Sequence, residues 1–249
     1  MTQDDPFYVP LLLEEFFEQL GEDVTVSRVV CLDPFNESFP ELVWRTYRLF
    51  GAGGFLRHGV SYVSRTLLDT VGVRRCSVGR VSKSHGVPVD HVQSVNTVEF
   101  VDSVEEKEID VVLSASAPEI FDESLLSAPS WGCLNVHTAE LPKYRGMMPT
   151  FWALYHGETE VGVTIHEMVE ELDAGRIAAQ TTFDVTDLNS LHGVIQRGKR
   201  IGGRLSAETL SRIAAGEITL EEMTGSGSYH SFPTAGERKE LESSGWQMR

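Results

Sequence analysis

Asn135 and His137 stand two residues apart in the stretch Cys133 to Pro149, which reads CLNVHTAELPKYRGMMP. Cys133, Leu134 and Val136 are apolar or β-prone, so the stretch opens as a strand, and residues two apart on a strand project to the same face. An amide and an imidazole therefore project together. Pro142 and Gly146 end regular structure just beyond them and make a loop. An amide donor beside a titratable ring, at a strand end beneath a loop, suits the stabilisation of a developing negative oxygen. An Asn-x-His pair alone is more often a satisfied polar pair on a surface strand, so context carries the reading. A second segment, VGVTIHEMVEELDAGRI from Val161 to Ile177, supplies that context. Val161 to Met168 alternates as a strand, with Thr164 and His166 on one face, and Glu170 to Gly175 is a carboxylate-rich loop holding Asp173. His166 is a rival catalytic candidate, although a pocket-wall histidine is the plainer reading.

Taken in order, Asn135-x-His137, Leu141-Pro142-Lys143-Tyr144-Arg145-Gly146, Pro149, Trp152-Ala153 and Asp173-Ala174-Gly175 resemble the folate-dependent formyltransferases. That family includes glycinamide ribonucleotide formyltransferase, the catalytic domain of methionyl-tRNA formyltransferase and the amino-sugar N-formyltransferases. The match is densest from Asp110 to Gln180. It departs from the family at Thr138-Ala139-Glu140, where Pro or Ala followed by Ser or Gly often succeeds the histidine. The resemblance implies an α/β fold with a doubly wound, mostly parallel, Rossmann-like sheet. It implies transfer of a formyl group from N10-formyltetrahydrofolate to a primary amine, with no metal. Asn135 and His137 would stabilise the tetrahedral oxyanion, and Asp173 would raise the pKa of His137 and help move the amine proton. Folate contacts are implied at Ala117, Pro118 and Ile120, after the strand Asp110 to Ser114, and at Glu170 and Glu171, which also read as solvated. An amino-sugar nucleotide is the acceptor expected first. Methionyl-tRNA, glycinamide ribonucleotide, hydrolysis of the formyl donor, and a non-catalytic binding protein on the same fold are the alternatives.

A chain of 249 residues accommodates one α/β domain with an extension, or two small domains. The expected division is a catalytic domain over 1–216 and an extension over 217–249 with no separate domain. No apolar run approaches the ~18 residues of a membrane span, and the acidic start MTQDD lacks the basic opening of a signal peptide. Three cysteines, with no Cys-x-x-Cys, argue against a disulfide framework or zinc site and fit a reducing cytoplasm. The net charge is −16, from 25 Glu and 12 Asp against 16 Arg and 5 Lys, which makes a poor surface for polyanions. The expected partner is therefore a small-molecule amine rather than nucleic acid or membrane, with a homodimer left open. Such a lysine-poor, acidic surface also fits a halophilic source.

Along the chain, Thr2 to Pro6 reads as a loop and Phe7 to Leu20 as a helix with one apolar stripe. Val24 to Cys31 reads as an apolar strand. A doubly wound domain opens with a strand before such a helix, so the expectation is that the first strand is missing and the native start lies upstream. The alternative is a sheet that begins at Val24. Glu41 to Leu68 is helical in pattern, broken by Gly51-Ala52-Gly53-Gly54, which lacks the lysine and preceding strand of a phosphate loop. Val78 to Val81, followed by Ser84 to Val89, resembles the helix-end and short-strand element of the family, with His85 and His91 facing solvent. Helices are expected from Asn96 to Glu106, Phe151 to His156 and Leu188 to Ala215, and a strand from Gln180 to Val185. The tail from Glu217 reads as polar and poor in core residues. Gly225 to Ser228 reads as a flexible link, with Tyr229, Phe232 and Pro233 available as pins.

Overall fold

A computed structural model describes residues 1–32 and 39–249. Three parallel strands, β1 (Thr2–Gln3), β2 (Val29–Leu32) and β3 (Val89–Val92), lie in the order β1-β2-β3. A second set comprises β4 (Val111–Ser114), β5 (Gly132–His137), β7 (Glu160–Glu167) and β8 (Ile177–Asp184), in the order β4-β5-β7-β8. Within it β4 and β5 are parallel, and β7 and β8 add antiparallel. The backbone of Met1 joins the two sets. Its ammonium donates to the Leu113 carbonyl, and its carbonyl accepts from the Ala115 N–H at 2.9 Å. The first strand is thus present, but only as Thr2–Gln3. The alternative start of the sheet at Val24 does not hold, because β2 begins at Val29.

Alternate strand residues face two separate apolar layers, as the strand period requires. Val29, Cys31, Leu134 and Val136 pack with α1 (Val9–Gln19) on one face, while Val30, Leu32, Val112 and Cys133 pack with α4 (Val98–Glu106) and α5 (Glu123–Ser127) on the other. Strands buried on both faces read as continuous apolar runs, which is why β2 and β4 are legible as sequence. The long helix α7 (Leu191–Ala214) lies on the α1 side, where Gly202 faces Val136 and Gly203 faces the Leu12 carbonyl. The chain reverses direction across the sheet between β1 and β4, and ligands of open α/β sheets bind at the carboxyl ends near such a point.

Helix α2 (Phe39–Thr70) breaks at Gly51, where φ is 66° and ψ is 177°, so the glycine cluster separates two helices. Helix α3 (Val78–Ser84) is capped by the Ser77 hydroxyl, which accepts the Arg80 N–H. His85 and His91 are exposed, and no described helix is long and apolar enough to cross a membrane.

The polar tail makes backbone contacts with the loop after β5. Strand β9 (Tyr229–His230) pairs in parallel with β6 (Arg145–Gly146), and Ser228 accepts the Tyr144 N–H on its hydroxyl at 2.9 Å. Ser228, at the end of the supposed flexible link, is therefore held against the loop after β5. Helix α8 (Ala235–Ser243), which the sequence reading did not place, opens with a reciprocal Thr234–Glu237 capping box and buries Leu241, and Met248 is buried beyond it. The indole of Trp152, on α6 (Pro149–Tyr155), donates to the Ser231 carbonyl at 3.0 Å.

Candidate active site

The register of β5 against β7 pairs Asn135 with His166 and His137 with Thr164. Opposed residues on an antiparallel pair share a face, so all four side chains stand on one side at the carboxyl end of β5. Thr164 does scaffolding work there: its hydroxyl donates to the Ala139 carbonyl at 2.7 Å and accepts from Gln180 at 2.8 Å, which fixes the turn after His137.

Asp173 closes the cluster. One carboxylate oxygen lies 3.6 Å from His137 Nδ1 and 3.5 Å from His166 Nε2. The other accepts the Gly146 N–H at 2.8 Å. Two glycines make this approach feasible. Gly146 has φ of 91°, and a Cβ there would stand 2.3 Å from the His230 carbonyl. A Cβ on Gly175 would stand 2.0 Å from the Glu167 carbonyl, so the Asp-x-Gly spacing lets the Asp173 loop lie directly on β7. Arg145 ties the loop down from the other side through the Leu172 carbonyl at 3.0 Å and Glu171 at 2.7 Å.

Hydrogen-bond partners assign the rings. His166 Nδ1 lies 2.8 Å from the Glu167 carbonyl and so carries a proton. Its Nε2 stands between the Asn135 amide, 3.2 Å from Nδ2, and the Asp173 carboxylate. The Asn135 amide is thereby held beside His166 at the end of β5. His137 Nε2 lies 2.9 Å from the Tyr144 carbonyl and donates to it. Both His137 nitrogens thus face acceptors, an arrangement that a protonated ring satisfies.

Burial pushes the Asp173 carboxyl up, but the His166 and His137 rings and the Gly146 N–H outweigh it and hold its pKa at about 2. Burial likewise pushes the His137 ring below its ordinary value; Asp173 pulls the other way, while His166 and Lys199 add to the lowering. The carboxylate acts in the expected direction, but loss of water around the ring is the larger effect. Lys199 is half-buried on α7, bonds to the Ser116 hydroxyl, and has its own pKa lowered by loss of water.

The residues implied as folate contacts lie apart from this hydrogen-bonded cluster in role. Ala117, Pro118 and Ile120 are in the loop after β4, where Glu119 accepts from the Ser94 hydroxyl and the Val95 N–H, and Asn96 donates to the Ile120 carbonyl. Ile120 is exposed. Glu170 is exposed and Glu171 is engaged by Arg145. His166 is the residue whose weight the sequence understated: it touches both Asn135 and Asp173. Among the described residues there is no cluster of three or more side chains able to hold a metal.

A family model described as formyl transferase matches residues 82–210, which is 129 of 249 residues and just over half the chain. The chain is 37% identical over 142 residues to a methionyl-tRNA formyltransferase from a Thermotoga species, spanning 57% of this chain and 45% of the relative. It therefore covers less than half the length of that curated relative. Among solved structures, a phosphoribosylglycinamide formyltransferase from Anaplasma phagocytophilum superposes with a TM-score of 0.58 at 19% identity, over 89% of this chain and 93% of the other. A candidate sugar N-formyltransferase from Mycobacterium tuberculosis superposes with a TM-score of 0.51 at 28% identity, over 61% and 68%.

Proposed function

We propose that this chain, which belongs to the formyl transferase family, moves a formyl group from N10-formyltetrahydrofolate to a primary amine. The observation that carries the reading is the convergence of Asn135, His137 and His166 with the buried Asp173 carboxylate at the end of β5. The amine nitrogen attacks the formyl carbon, a C–N bond forms, and the carbonyl oxygen gains the negative charge. The Asn135 Nδ2 amide donates to that oxygen. A preorganised donor of this kind is worth roughly 10²–10³ in rate. Asp173, already ionised, accepts the proton that the amine sheds, directly or through the His137 ring. That proton passes to the folate nitrogen as its bond to carbon breaks, so no net proton is consumed. Ala117, Pro118, Ile120, Glu170 and Glu171 are proposed to face the folate, on loops at the carboxyl ends of β4 and β7.

The acceptor we propose is an amino-sugar nucleotide. A net charge of −16 disfavours a polyanionic substrate, and a sugar N-formyltransferase candidate is among the structural relatives. The 37% identity to a methionyl-tRNA formyltransferase supports the second reading, an aminoacyl-tRNA acceptor. An assay of tetrahydrofolate release with 3-amino and 4-amino nucleotide sugars, glycinamide ribonucleotide and charged initiator tRNA separates the two. Turnover with a sugar alone supports the first reading, and turnover with tRNA alone overturns it.

A further inference from the structure

Three arginines gather near Phe7, just beyond the carboxyl end of β1. The Arg249 guanidinium lies 4.3 Å and the Arg65 guanidinium 5.2 Å from the Phe7 ring centroid. Arg57 donates to the Arg249 main-chain oxygen at 3.0 Å, and Arg65 to the Pro6 carbonyl at 2.9 Å. Arg249 reaches His58 Nδ1 at 2.6 Å and the Ser61 hydroxyl at 3.4 Å. Among the described residues, none of these three guanidiniums makes an ion pair with Asp or Glu. Elsewhere in this acidic chain the arginines do: Arg200 and Arg204 share Glu15, and Arg197 meets Asp187.

The neighbouring rings register the excess charge. A guanidinium keeps its protons at any ordinary pH, so His58 accepts from Arg249 and is neutral. Burial, with Arg249 adding to it, lowers the pKa of His58 to about 4. His192, whose Nδ1 bonds to the Tyr8 hydroxyl at 2.9 Å, is also lowered to about 4, by burial first and then by Arg249, Arg65, His58 and Arg57. Asp5 accepts the Phe7 N–H at 2.8 Å, and burial pushes its carboxyl up. One carboxylate thus answers Arg65, Arg249 and Lys199 together.

Helix α7 connects this cluster with the candidate active site. His192 and Lys199 are seven residues apart on it, so they share one face about 10 Å apart along the axis. Lys199 bonds to the Ser116 hydroxyl beyond β4, and its charge acts on His137. We propose that Arg57, Arg65 and Arg249 form a phosphate subsite that holds a diphosphate of the acceptor, with the reacting amine at the other end of this α7 face. That the diphosphate belongs to the acceptor rests on the formyl-transfer reading. Guanidiniums present paired N–H donors that match phosphate oxygens, and all three keep N–H groups unspent. A diphosphate anion would offset the like charges crowded at Phe7. A small ligand fits better than a nucleic acid, because the positive charge is confined to one ring while the net charge of −16 repels a polyanion elsewhere.

Calorimetric titration with uridine diphosphate tests the subsite without requiring turnover. The native chain is expected to bind it more tightly than inorganic phosphate, because two phosphoryl groups engage more guanidiniums. Arg65→Gln and Arg249→Gln are each expected to weaken binding by roughly 10-fold or more, whereas Arg74→Gln, at an exposed arginine beyond the end of α2, is expected to leave it unchanged. Arg65→Lys keeps the charge without the paired donors and is expected to fall between; thermal midpoints measured beside each titration separate loss of the subsite from loss of the fold. Bound diphosphate should also raise the pH at which the His58 and His192 rings protonate, from about 4, as read by proton NMR. No binding by the native chain, equal Kd in the native chain and both glutamine variants, or unmoved His58 and His192 titrations would overturn the proposal, as would tighter binding of a short RNA than of uridine diphosphate. Diphosphate binding with no release of tetrahydrofolate to any amine would refute the formyl-transfer reading and leave the subsite standing.

Discussion

Replacing Asp173 by Asn removes one charge from the centre of the candidate site while keeping its shape. The carboxylate is nearly buried, and its pKa of about 2 lies below the ordinary 3.8 because two imidazoles and the Gly146 N–H stabilise its ionised form. A gap of almost two units, at about 1.4 kcal/mol each, corresponds to roughly 2–3 kcal/mol of folding stability at neutral pH. A carboxyl whose folded pKa is depressed supplies that stability fully above its unfolded value and loses it as pH falls through the folded value. The native chain should therefore lose this contribution between about pH 4 and pH 2. His137 adds a separate acid-sensitive component: a ring whose folded pKa lies below 6.5 stabilises the fold above that pH and loses the contribution on acidification. Without Asp173 that loss should still begin near 6.5 but extend to lower pH and grow larger, because the carboxylate favours the charged ring. Urea denaturation of both forms from pH 7 to pH 2 measures the difference directly. Asp173→Asn should be less stable by about 2 kcal/mol at pH 7, with the gap closing toward pH 2. Parallel curves across the whole range would refute the reasoning.

His166→Ala removes the ring that holds Asn135 in place, so kcat should fall by up to about 10²–10³ with the donor misaligned, measured as single-turnover release of tetrahydrofolate. Gly175→Ala drives a methyl into the Glu167 carbonyl; it should cost roughly 1–3 kcal/mol in chemical denaturation and lower activity with it, because the Asp173 loop must lift from β7. Leu241→Ala should cost about 2–5 kcal/mol, since the side chain is fully buried under α8, whereas a solvated tail would make the same substitution nearly silent.

Much of the fold was legible because its signals are local. The apolar runs of β2 and β4 and the 3.6-residue stripe of α1 each announce an element, although β2 proved shorter than its run: Val24 to Arg28 carry apolar residues without pairing. Asn135 and His137 were legible as a pair because strand geometry alone sends them to one face. The position of His166 was not, since it depends on the register of β5 against β7, which joins residues 31 apart in the chain. The lowered pKa of His137 depends on burial, which no motif records. Helix α8 escaped notice because its apolar content is thin, with Leu241 its sole buried residue; the Thr234-x-x-Glu237 capping box was its one readable signal. Gly225 to Ser228 reads as a linker by composition, yet Ser228 accepts the Tyr144 N–H on its hydroxyl and donates its own N–H to the Pro142 carbonyl. Gly227 serves close approach, since a Cβ there would stand 3.1 Å from the Pro142 carbonyl.

The central claim is that the Asn135, His137 and Asp173 cluster transfers formyl groups. Its most direct measurement is the appearance of tetrahydrofolate and of formylated amine from N10-formyltetrahydrofolate and a 4-amino or 3-amino nucleotide sugar, with the native chain beside Asn135→Ala, His137→Ala and Asp173→Asn. The account predicts stoichiometric formation of both products by the native chain and a fall of at least about 10²-fold in kcat/KM for each variant. Full activity in His137→Ala or Asp173→Asn would contradict it.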